Sequence, residues 1–221
     1  VILTYIQIVY GQRWQHIMRN LNTMKQSEEM LTWHDYIKSG QIDSIAEDLR
    51  KKHTGPCYSL VDNIDIEIPK NLNFKVHEFW GLKKENIDPA KFPGLDGSEL
   101  ATVVLRNDHL LTRQIADKLG IQKAHLRITR QRPGKISVFH VDINHGFYIK
   151  HYGDETKHLL PGETKKYIIF PEDQRSGEFF GFGKESITWK AGDVFTWPWY
   201  MDHGGANSGY EYRYAIVVMG F

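Results

Sequence analysis

Apolar residues at Trp14, Ile17, Leu21 and Met24 recur at the spacing of one helical face. A second such pattern, around Ile42, Ile45 and Leu49, has Asp43 or Ser44 as its N-cap and Gly55 beyond its end. A third sets Leu111, Ile115 and Leu119 on one face, between an Asp108 N-cap and a Gly120 stop. Strand-like runs separate these helices. They are Tyr58 to Ile68, which ends at Pro69, the aromatic stretch Phe74 to Trp80, and Ala101 to Leu105.

After Gly120 the helical period gives way to short β-rich runs, broken by Pro133-Gly134, Gly153, Pro161-Gly162, Gly177, Gly183 and Ala191-Gly192. Eight strands are predicted: Ala124–Arg130, Ile136–Ile143, Lys166–Phe170, Glu178–Phe182, Ser186–Trp189, Val194–Trp199, His203–Asn207 and Tyr212–Met219. That density of strands and turns suits a mainly β sandwich or small barrel with the helices packed outside. No linker or repeat interrupts the chain. Residues 1–221 therefore read as one domain, with a helical and strand support region at 1–120 and a β core at 121–221.

Composition narrows the function. With 221 residues, 41% of them hydrophobic, the chain can bury a sizeable core. Lys and Arg number 28 against 27 Asp and Glu, so no overall field draws it toward a phosphate backbone, and nucleic acid is a disfavoured partner. Cys57 stands alone. It can form no internal disulfide and no cysteine metal cluster, which fits a reducing compartment and leaves any metal to His, Asp or Glu. The apolar start, Val1 to Tyr10, lacks a basic lead, is too short to span a bilayer and reads as a strand. The expected setting is the cytoplasm, without a membrane partner.

His140 and Asp142 stand two apart on a predicted strand, so both project from one face and could grip a metal together. Alone the pair is weak, since a chain with 11 histidines and 27 acidic residues yields one by chance. His203, beside Gly204-Gly205, supplies a second imidazole, and two His with one carboxylate form a facial triad that leaves half an octahedral iron open. Ten residues on, Arg213 shares strand parity with Ala215, Val217 and Met219. It points to their side, and a buried Arg requires an anionic partner, which its planar fork would hold bidentately.

The stretch from Leu126 to Phe221 resembles the aspartyl/asparaginyl β-hydroxylase family of 2-oxoglutarate-dependent oxygenases. The likeness runs from Arg127 through Pro133-Gly134 to His140 and Asp142, then through Trp189-Lys190-Ala191-Gly192-Asp193, and closes on His203, Asn207 and Arg213. Some members have Gly where Asp142 stands, whereas this chain keeps a full triad. The resemblance implies a double-stranded β-helix of jelly-roll or cupin-like form. It implies Fe(II) on His140, Asp142 and His203, with 2-oxoglutarate on Arg213 near Asn207 and a second basic residue at Lys166 or Lys165. Ascorbate would serve as an auxiliary reductant.

The expected reaction is hydroxylation of an amino acid, a peptide side chain or another small metabolite, by a monomer or homodimer. Two other classes compete. A nucleobase-directed oxygenase of this type has a second Arg shortly after the first, and no Lys or Arg follows Arg213 here. A cupin-like module would hold metal or ligand without catalysis. His145, His151 and His158 sit in a polar stretch and read as a loop near the mouth rather than a second metal site.

Overall fold

A computed structural model describes residues 42–76, 100–142 and 163–221. Two helices and eleven strands lie among them: α1 (Ile42–Lys52), β1 (Ser59–Asn63), β2 (Lys75–Val76), β3 (Leu100–Leu105), α2 (Leu110–Leu119), β4 (Ala124–Gln131), β5 (Lys135–His140), β6 (Lys165–Ile169), β7 (Glu178–Phe182), β8 (Glu185–Ser186), β9 (Asp193–Thr196), β10 (His203–Asn207) and β11 (Arg213–Gly220). They build a seven-stranded sheet of order β1-β9-β6-β11-β4-β3-β2 and a four-stranded sheet of order β5-β10-β7-β8. All the pairings are antiparallel.

From β4 onward the chain crosses repeatedly between the sheets: β4 large, β5 small, β6 large, β7 and β8 small, β9 large, β10 small, β11 large. This alternation is a double-stranded β-helix, and the fold is mainly β as expected. Each crossing returns the chain to the opposite layer, so consecutive strands face one another and bury their inner faces together.

Strand parity divides the apolar residues between two clusters. Leu126 and Ile128 of β4, with Ile216 and Val218 of β11, point outward and pack with Ile115 and Ala116 of α2 and with Ile64 and Ile66 after β1. Ile168, Phe170, Phe180, Phe182, Phe195 and Ala215 point inward and fill the space between the sheets. Phe170 is completely buried and stacks on Trp189, ring centroids 4.2 Å apart.

Several local expectations shift. Asp43 lies in the first turn of α1 rather than at its cap, because the helix already begins at Ile42. His109, not Asp108, caps α2: its backbone is extended and its Nδ1 accepts from the Leu111 amide at 3.2 Å, a reach the preceding residue lacks. Gly120 closes α2 as expected, with φ 62° and its amide bonded back to Ala116 and Asp117. The run at Ser186–Trp189 yields only the short β8, since Ile187 and Trp189 turn into the core after two residues. The helix expected around Trp14 to Met24, the strand at Val1–Tyr10, and His145, His151 and His158 lie outside the described residues. No described helix is long and apolar enough to cross a membrane.

The core makes one expectation concrete. Phe170→Ala should lower unfolding stability by about 3–5 kcal/mol, the range for deleting a buried aromatic side chain, measured by denaturant unfolding at pH 7.

Candidate functional site

β5 and β10 are neighbours in the small sheet, with His140 opposite His203. The pairing shifts by one residue between there and Ser137–Gly205, a bulge that turns His140 inward while Phe139 stays outside, 43% exposed. Asp142 differs from expectation in one respect. β5 ends at His140, so the carboxylate enters from the residues just beyond the strand rather than by strand parity.

The three groups converge. Asp142 Oδ1 lies 3.5 Å from His140 Nε2, and Oδ2 lies 3.1 Å from His203 Nε2. One ligand atom from each residue falls within 4.8 Å of the others, an arrangement that could hold a metal ion. His140 Nδ1 donates to the Val138 carbonyl at 2.7 Å, which fixes the tautomer with its proton on Nδ1 and turns Nε2 toward Asp142. His203 Nδ1 is buried and makes no hydrogen bond in the structure. Asp142 Oδ1 accepts no hydrogen bond although buried. A buried carboxylate aimed at two imidazole nitrogens fits a first-row divalent cation well.

Electrostatics keep both rings neutral. Burial pushes His140 down to about 4, with Lys166 and Arg127 adding to the effect, and it holds His203 well below the usual histidine range, helped by Lys166 and His140. Neutral imidazole is the metal-binding form. Three aromatic rings enclose His203: Trp197 at 4.8 Å between centroids, and Phe180 and Phe182 each at 6.3 Å.

The basic residues are sorted by parity. Lys166 points inward, its ammonium against the Asp142 carboxylate and 4.8 Å over the Trp197 ring. Lys165 points away and donates to the Gly120 carbonyl at 3.2 Å, so Lys166 alone of the two reaches the site. Burial and the neighbouring Arg127 hold Lys166 well below the ordinary lysine range.

Arg213 is buried on β11, 6% exposed, at a pKa lowered by burial to about 10. It stays charged at neutral pH. Its Nη1 donates to the carbonyls of Phe179 and, at 3.4 Å, Ala206. Among the described residues no carboxylate pairs with it. The nearest candidate, Glu178, is taken by Arg175 through bonds of 2.7 and 3.0 Å. The guanidinium lies flat on Gly205, where a Cβ would come within 2.8 Å of both Nη1 and Nη2.

Asn207, expected near the co-substrate, spends both N–H donors on backbone carbonyls, of Gln131 at 3.0 Å and Glu211 at 2.7 Å, and accepts from the Gly209 amide at 3.1 Å. It ties the end of β4 to the loop before β11 and keeps no side-chain donor for a ligand. Sequence reasoning gave no role to Gly205 or to Gln131. Their only signal was inward parity, Gly205 two residues from His203 and Gln131 opposite Arg213.

No family model and no curated protein matches the chain. It is similar in outline to several solved structures. They include an oxalate decarboxylase of Lactobacillus farciminis in complex with formate, 15% identical over 55% of this chain and 29% of that one, TM-score 0.35. An RmlC-like cupin of Shewanella frigidimarina is 12% identical over 55% of this chain and 76% of its own, TM-score 0.34. KdgF of Halomonas is 8% identical over 56% and 80%, TM-score 0.33. The chain thus spans under a third of the decarboxylase, and likeness of this grade carries no chemistry across.

Two outcomes are expected. Gly205→Ala should displace the Arg213 guanidinium and lower stability by about 1–3 kcal/mol, the usual cost of overpacking, while the melting transition stays cooperative. Separately, the depressed His140 pKa means that the unfolded chain binds a proton that the folded chain refuses as pH falls from 6.5 toward 4. Folding stability of the metal-free protein should decline across that window, and less steeply in His140→Asn, as read by urea unfolding at several pH values.

Proposed function

We propose that this protein is an Fe(II)- and 2-oxoglutarate-dependent dioxygenase that hydroxylates an amino acid, a peptide side chain or another small metabolite. The observation that carries this reading is the position of Arg213. Its guanidinium is charged, buried and without a carboxylate of its own among the described residues, and it rests on Gly205, two residues along β10 from His203. The guanidinium thus packs on the same strand that carries His203.

His140, Asp142 and His203 would hold the iron, and Arg213 would grip the far carboxylate through its fork. Bound iron supplies the oxidative chemistry, in which dioxygen and 2-oxoglutarate yield succinate, CO2 and a hydroxylated product. This chain's residues do the rest. The two rings present neutral lone pairs, Trp197, Phe180 and Phe182 pack around His203, and Arg127 and Arg213 line the interior with positive charge that favours an anionic co-substrate. The resemblance to aspartyl/asparaginyl β-hydroxylases, with Asp142 retained, supports the same reading.

Anaerobic titration tests it. Fe(II) should bind tightly to the parent protein and weakly to His140→Ala, Asp142→Ala and His203→Ala. Removing one partner of a buried charge pair typically costs about 2–5 kcal/mol, and each 1.4 kcal/mol is tenfold in affinity. Arg213→Ala should therefore weaken 2-oxoglutarate roughly thirtyfold or more at unchanged Fe(II) affinity, with Lys at that position rescuing only part. Iron binding without any 2-oxoglutarate binding would instead indicate a cupin-like metal module.

A further inference from the structure

Gln131 ends β4 directly across the ladder from Arg213, which puts the two side chains on one interior face and within reach of each other. It is 1% exposed, yet its Oε1 accepts no hydrogen bond and its Nε2 reaches only the Gly205 carbonyl, at 3.4 Å. A buried amide left this idle costs free energy unless a partner arrives. Neither Asn207 nor Glu178 supplies one. Asn207 has committed both donors, and the Glu178 oxygens are acceptors already held by Arg175.

Arg213, by contrast, has N–H groups to spare, because only Nη1 is engaged, with Phe179 and Ala206. Turning the amide of Gln131 gives up one long bond. It frees Nε2 to donate to whatever Arg213 holds. The backbone of Gln131 need not move, since its carbonyl is pinned by Asn207 Nδ2 at 3.0 Å.

We propose that Gln131 is the second, neutral arm of the anion site at Arg213: the guanidinium and the amide together grip one carboxylate of a diacid, and Gln131 sets the preference for a carboxylate at that end. The inference rests on the reading of Arg213 given above and deepens it. Glutamate at this position would supply the carboxylate internally and occupy the guanidinium. Leucine would keep the volume and remove the donor.

The test uses the intact protein loaded with Mn(II), a redox-inert metal, titrated calorimetrically with 2-oxoglutarate. Gln131→Leu should weaken 2-oxoglutarate roughly tenfold to a hundredfold, the worth of one hydrogen bond to a charged group, at unchanged Mn(II) affinity. Gln131→Glu should abolish measurable binding and raise the ligand-free melting temperature through its own pair with Arg213. If the parent binds and Gln131→Leu binds equally tightly, or loses Mn(II) in parallel, this inference falls and the proposed function stands. If the parent itself binds no 2-oxoglutarate, both fall together.

Discussion

A charged guanidinium enters the sandwich on a strand whose other inward residues, Ala215, Val217 and Met219, are apolar, and much else in the structure accommodates it. Burying an unpaired charge is expensive, and proteins offset it with hydrogen bonds or a counter-ion. Here the fold provides carbonyls from Phe179 and Ala206, a ring face from Phe180 at 5.6 Å, and the bare Cα of Gly205 as a floor. What it withholds is a carboxylate. Glu178 would be the obvious source, yet Arg175, itself tied to Glu211 at 2.6 Å, takes its oxygens. The guanidinium is thereby left without a carboxylate partner among the described residues.

The His140, Asp142 and His203 cluster, which could hold a metal ion, faces the same interior and depends on the same dryness. Imidazoles in water would carry a proton part of the time near neutral pH, and here burial removes that competition. The aromatic packing that excludes water also restrains the rings, since Trp197 lies against His203 on one side and Phe182 on another. His203 thus packs directly against Phe180, Phe182 and Trp197 of the inner core cluster.

Support also comes from the residues before the β-helix. Arg50 at the end of α1 donates to the Tyr200 carbonyl at 3.1 Å, and the His53 ring bonds the Tyr200 hydroxyl at 3.1 Å and the Pro56 carbonyl at 3.0 Å. Tyr200 belongs to the loop that delivers His203, and the Gly183 amide holds Asp202 in the same loop at 2.7 Å. The region before β4 therefore does more than cover apolar surface. It fixes the entry angle of a strand that carries a metal-binding candidate.

The sequence by itself determined most of the strands from Ala124 onward, the inward parity of Arg213, and the two histidines and one carboxylate with the right chemistry. These were legible because a period of two and a short list of metal-binding side chains are local properties. It could not tell Lys166 from Lys165, assign Asn207 to backbone clamping, or single out Gly205 and Gln131, whose meaning exists only where β4, β10 and β11 meet. Only the tertiary structure decided that His140 faces inward through a bulge, that Asp142 arrives from beyond the strand, and that Glu178 is unavailable to Arg213. The bulge follows from pairing between residues distant in the chain, and Glu178 is held by Arg175, itself anchored to the distant Glu211. A partner's identity sets the energy of a buried polar group, and no local pattern records who that partner is.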